Sequence, residues 1–183
     1  MGKSGELIAE ATTHVLFLRG EYFHAIDAKS RLTIPAKLRE SINPSEEGYG
    51  FVAVRGFDEV LYLYTPETYR KIAPHFDTRL QTKADVRIYQ RLAYALAEDV
   101  EVDRLGRVLI PDTTLRRCGL SREVAILGVQ DHIEVWDRAR WDAFLKEQLP
   151  RRDELAERAI ELEKAAAGSG GTSAGGTAAG GRA

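Results

Sequence analysis

A single cysteine, Cys118, occurs among 183 residues. That excludes an internal disulfide framework and a multi-cysteine zinc site, and it fits a reducing compartment. Excess charge is scarce too. The 26 Lys and Arg against 28 Asp and Glu leave a net charge of -2, so no chain-wide basic field points to a nucleic acid, and any such surface has to be local. Long apolar runs are missing, and in the first twenty residues Glu6 and Glu10 interrupt what a secretory or membrane-spanning segment would need. There is no Gly-rich phosphate loop. The four histidines, at 14, 24, 75 and 132, show no metal-ligand spacing, and Cys118 precedes Gly119 at an expected helix end, where a small packed apolar residue is the ordinary role. These gaps point away from an enzyme, a metal, a cofactor and a membrane.

What is present is a repeat, which changes the reading of everything else. His24 to Pro35 aligns without gaps on Val100 to Pro111 at an offset of 76, with Asp, Arg, Ile and Pro identical. Val52 to Tyr64 then aligns on Val124 to Trp136 at an offset of 72, as though the first copy carried a loop four residues longer within 41–50. In each copy alternating apolar residues end at Asp27 or Asp103. A polar turn follows, and a second apolar run enters Pro35 or Pro111. That predicts strand, turn and strand, then helices over 36–42 and 111–118, proline suiting a first helical turn and Gly119 a helix end. Further strands are expected at 51–55, 60–64, 123–127 and 132–136. Closing helices start after Thr65-Pro66 and Asp137, both acceptable caps.

The expected fold is therefore mainly β with short helices, an α+β chain of two tandem β-β-α-β-β-α modules. The modules fall at 16–72 and 98–148, preceded by an extension over 1–15 and separated by a linking-helix region over 73–97. Val86, Tyr89, Leu92, Ala93 and Leu96 give that region an apolar face. A charged helix over 149–167, with Glu154 four residues before Arg158, and a disordered Gly, Ala and Ser tail over 168–183 complete the chain.

The chemistry concentrates in the two β-β turns, which carry Asp27, Lys29 and Arg31 in one copy and Asp103, Arg104 and Arg107 in the other. An Asp ending a strand can accept turn N–H groups and hold the guanidinium four residues later. An arginine fixed in that way can fork onto a phosphate or a guanine edge. Charged turns are common at protein surfaces, and a plain stabilising ion pair is the competing reading; the same pattern in both copies weakens it without removing it.

The stretch Phe17 to Arg39, with Asp103 to Pro111 and Gly128 to Trp136, resembles the MraZ family of bacterial transcriptional regulators over roughly 16–148. The resemblance implies tandem AbrB-like modules that intertwine into one pseudo-two-fold barrel and assemble into a ring-shaped homo-oligomer. It also implies binding of double-stranded DNA with repeated short boxes upstream of the protein's own division and cell-wall gene cluster, as a repressor in the cytoplasm at the nucleoid. The family's two motifs fall on Asp27 with Arg31 and on Asp103 with Arg107. Ser30 departs from the glycine common before the first arginine, whereas Gly106 keeps it in the second, which puts the conformation of the first turn in question. Two other classes stay open. One is a protein-interaction or assembly module whose contact face is Tyr62, Tyr64, Trp136 and Trp141, although their matching positions favour a shared core. The other is an AbrB-like antitoxin, usually a single module that dimerises.

Overall fold

The structure, a computed structural model, describes residues 16–73 and 82–169. The 1–15 extension, the end of the 168–183 tail, His14 and His75 lie outside the described residues. The chain divides into two compact units, Met1–Arg138 and Ala139–Ala183.

In the first unit the elements run β1 (Leu18–Ala25), β2 (Arg31–Thr33), α1 (Ala36–Glu40), α2 (Pro44–Glu47), β3 (Phe51–Arg55), β4 (Leu61–Tyr64) and α3 (Pro66–Ile72). After α4 (Ala84–Ala95) come β5 (Glu98–Val100), β6 (Arg107–Leu109), α5 (Asp112–Arg117), β7 (Glu123–Gln130) and β8 (His132–Asp137). The β-β-α-β-β-α order thus recurs, with α2 as an unforeseen addition where the first copy is longer. Asn43 starts α2 by accepting the Ser45 N–H, and its Glu47, 5% exposed, accepts the hydroxyls of Thr65 and Thr68 at the start of α3. Those bonds are what let a carboxylate sit buried there.

Neither module closes on itself. One sheet has the order β1-β7-β8-β4-β3-β5, and a second pairs β2 with β6. Every non-hairpin ladder joins one copy to the other, in an order that reads as a palindrome of the repeat. The two copies are therefore intertwined about a pseudo-two-fold axis, and among the described residues the large sheet's ladder is open, with β1 and β5 at its edges.

Register corrects the repeat alignment at one point. Val52 lies opposite Tyr64 in one hairpin and Ala125 opposite Trp136 in the other. Val52 therefore answers to Ala125, an offset of 73 (125 against 52), while Tyr64 and Trp136 keep 72. The first copy's extra length is split, three residues falling before β3 and one in the β3–β4 turn. There Phe57–Glu59 replaces the tight turn at Gln130, with Asp58 and Glu59 at φ of 54° and 60°.

The core is as symmetric as the ladders. Leu32 with Val108, Ile34 with Ile110, Leu61 with Ile133 and Leu63 with Val135 are all fully buried, and Cys118 joins them as the small apolar residue expected. Tyr64 and Trp136 are buried. Tyr62 is half-buried, and the His132 ring packs between it and Tyr64, centroids 4.6 Å and 4.8 Å away. Burial pulls the imidazole down, but hydrogen bonds with Glu134 and Asp131 outweigh it and leave its pKa raised. α4 contributes no buried residue, and its Ile88, Tyr89 and Leu92 are about half exposed.

The second unit is helical: α6 (Arg138–Gln148, of which Arg138 closes the first unit), a single turn at Leu149–Arg151, and α7 (Arg152–Ser169). Trp141 stacks on Phe144 at 5.5 Å, and Arg158 pairs with Glu154 at 2.6 Å, as their four-residue spacing allows.

Candidate nucleic-acid interface

The two Asp-x-x-x-Arg turns are built bond for bond alike. In the first, Asp27 Oδ1 accepts the N–H groups of Lys29 (2.8 Å) and Arg31 (3.0 Å), while Oδ2 accepts Arg31 Nε (2.7 Å) and lies 2.7 Å from Nη2. In the second, Asp103 Oδ1 accepts the N–H groups of Leu105 (2.9 Å) and Arg107 (3.0 Å), and Oδ2 takes Nε (2.8 Å) and Nη2 (2.6 Å) of Arg107. The main chain closes both loops in the same way: Ser30 N–H donates to Asp27 O and Gly106 N–H to Asp103 O. One carboxylate therefore caps the turn with one oxygen and aims an arginine with the other. The hydrogen bonds from Arg31 and from Arg107 are the main reason the Asp27 and Asp103 carboxyls are held down to about 2. Among the described residues no group bonds Nη1 of either arginine, so the far end of each guanidinium is available to a ligand.

This loop type needs a left-handed residue just before the second strand. Gly106 supplies it with φ 75°, and Ser30 adopts it as well, with φ 58°. The departure from glycine therefore leaves the first turn's conformation intact. Ser30 is compensated from across the repeat, because its hydroxyl donates to Asp112 Oδ1 at 2.5 Å. Each turn is locked by the other copy: Ile34 N–H donates to Gly106 O and Ile110 N–H to Ser30 O, both at 2.9 Å. Arg39 packs its guanidinium over Gly106 and donates from Nε to Ile34 O. Nothing local in the sequence singles out Arg39 for this role, since its partner lies 67 residues on (106 against 39).

The ribbon β2–β6 brings the two turns together. Arg31 lies opposite Leu109 and Thr33 opposite Arg107. Leu32 and Val108 point inward, so Arg31 and Arg107 share the outward face as diagonal neighbours, with Cα atoms about 7–8 Å apart. Lys29 and Arg104 are exposed in the turns beyond. Since each aspartate neutralises its own arginine, Lys29 and Arg104 give this patch its excess positive charge. Arg31 and Arg107 thus share one face of the ribbon, and each turn that flanks it carries an exposed cation, Lys29 or Arg104. Among the described residues no group of His, Cys, Asp and Glu could hold a metal, and no helix is long and apolar enough to cross a membrane.

Comparison with known proteins places the chain in a family. The family model for MraZ protein, described as antitoxin-like, matches residues 17–91 and again 93–162. The chain is 37% identical over 144 residues to a protein of Heliobacterium modesticaldum, covering 79% of this chain and 97% of that protein. It is 36% identical over 144 residues to one of Ligilactobacillus salivarius, with the same coverage. Against one from Lactiplantibacillus plantarum it is 38% identical over 142 residues, covering 78% and 97%. All three are named transcriptional regulator MraZ.

Proposed function

Because the chain belongs to the MraZ family, whose relatives are transcriptional regulators and not enzymes, we propose that it regulates transcription by binding double-stranded DNA through the β2–β6 ribbon. The observation that carries this reading is the pair of matching, carboxylate-held arginines on one exposed face. Arginines aimed in advance lose little side-chain freedom on binding, and their free ends suit phosphate oxygens or the O6 and N7 of guanine. The protein acts in the cytoplasm at the nucleoid, as a repressor of its own division and cell-wall gene cluster, on short boxes repeated in the promoter.

Repeated boxes call for several copies of the ribbon, and the chain assembles with itself into a ring. Supporting this is an apolar groove of about 370 Å³ between the β3–β4 hairpin, α3 and α4, lined in part by Tyr62, Tyr69 and Leu92. Ile72 on α3, Leu92 on α4 and Phe57 in the β3–β4 turn are exposed and line it. Apolar surface of this kind marks contact sites on soluble proteins.

The test is a gel shift with DNA from upstream of the protein's own gene. Arg31→Ala combined with Arg107→Ala removes the specific complex, while melting stays within a few degrees of the wild type because the aspartates keep their backbone bonds. Unchanged affinity in the folded double variant defeats the assignment.

A further inference from the structure

The face that carries Arg31 and Arg107 also carries an apolar residue for which the fold has no use. Along β6 the alternation turns Val108 inward, fully buried, and Arg107 and Leu109 outward. Leu109 is 59% exposed, so folding leaves most of its apolar surface in water. It stands directly opposite Arg31 and two residues from Arg107 on its own strand, between two arginines that aspartates hold in place. Its counterpart in the first copy is Thr33, opposite Arg107, and the same ladder forms around that small polar side chain. The fold therefore does not demand a leucine here. A ligand that is anionic or acceptor-rich on both sides and apolar between them does.

Resting on the DNA-binding reading above, we infer that Leu109 is a specificity-determining residue that packs against the C5-methyl group of thymine in the major groove. Thymine presents the only methyl among the four base edges exposed there, and apolar side chains are what recognise it. Arginine forks beside it take acceptor edges or phosphates and fix the depth at which the leucine meets the groove. Withdrawing the leucine side chain and the methyl from water together supplies discrimination that hydrogen bonds to guanine cannot, and it costs the free protein no stability. Thr33 carries a single methyl close to the strand, whereas Leu109 carries two farther out, so the two halves of the ribbon differ in apolar reach although their aspartates and arginines match.

The probe is the promoter fragment upstream of the protein's own gene, amplified once with thymidine triphosphate and thymine primers and once with deoxyuridine triphosphate and primers carrying uracil at every thymine position. The second product lacks every C5-methyl while keeping charge and pairing. Wild-type protein binds the uracil fragment about fivefold more weakly, the scale of one or two methyl-sized contacts. Leu109→Ala binds the thymine fragment about fivefold more weakly than the wild type and discriminates between the two by less than about twofold. Leu109→Thr, which copies the first module's own residue, keeps the strand and falls between them. Equal wild-type affinity for both fragments, or full sensitivity to uracil in Leu109→Ala, overturns the leucine contact and leaves the arginine site standing. Absence of any specific complex with either fragment overturns the DNA-binding reading and this inference with it.

Discussion

Gly106→Ala tests whether the two copies lock each other's turns. Gly106 has φ 75°, and a Cβ added there would lie 2.6 Å from both Cζ and Nε of Arg39. An L-residue in the left-handed region costs about 1–2 kcal/mol. Moving the Arg39 guanidinium away breaks its 3.1 Å bond to Ile34 O, a further loss of about 0.5–1.5 kcal/mol. The stiffer unfolded chain returns about 0.4–1 kcal/mol, so the net destabilisation is about 0.5–3 kcal/mol. Urea unfolding of Gly106→Ala, Arg39→Ala and the double variant separates these contributions. With Arg39 already truncated, only the backbone cost is left, and the substitutions should couple by about 0.5–1.5 kcal/mol. Strictly additive effects, or a neutral Gly106→Ala, would refute the lock. Ser30→Gly is the internal comparison. It relieves the positive φ but gives up the Ser30–Asp112 bond and frees the unfolded chain, so it should come out near zero.

Expressing 16–80 and 81–150 separately should give pieces that do not melt cooperatively as monomers, because β1 pairs with β7 and β3 with β5, and each half alone exposes strand edges; a well-dispersed monomeric half contradicts this. The Asp27 and Asp103 carboxyls should titrate by NMR near 2. Their pKa values are depressed, so what they add to stability is fully present above the ordinary carboxylate pKa of 3.8 and is lost as pH falls towards 2. Arg31→Ala should move Asp27 back towards 3.8, whereas wild-type midpoints already near that value would deny the pairing. DNA with three evenly spaced boxes should bind far more tightly than DNA with one, and inserting about 5 base pairs between boxes should remove much of the gain by rotating them off the protein's face. Equal affinity for all three duplexes in a titration at one salt concentration rules out multivalent binding.

Features governed by short spacings were legible in the amino-acid order alone. Asp27 with Arg31 and Asp103 with Arg107 are four residues apart across a turn, so a carboxylate that caps the loop also reaches the guanidinium, whatever surrounds it. Strand alternation and the prolines placed the β-β-α order on the same footing, and the repeat revealed that it occurs twice. Which strand lies beside which emerges from long-range pairing. Alternation marks the face a strand buries but not its partner, and here each copy buries its apolar face by pairing with the other, β1 with β7 and β2 with β6. That pairing sets Arg31 and Arg107 on one ribbon, brings Arg39 over Gly106, and lets Asp112 receive the serine that stands where a glycine was expected. The one-residue shift between β3 and β7 was hidden for the same reason. A gapless match of apolar residues cannot tell an extra residue in a turn from one in a loop, whereas a hydrogen-bonded ladder admits a single register.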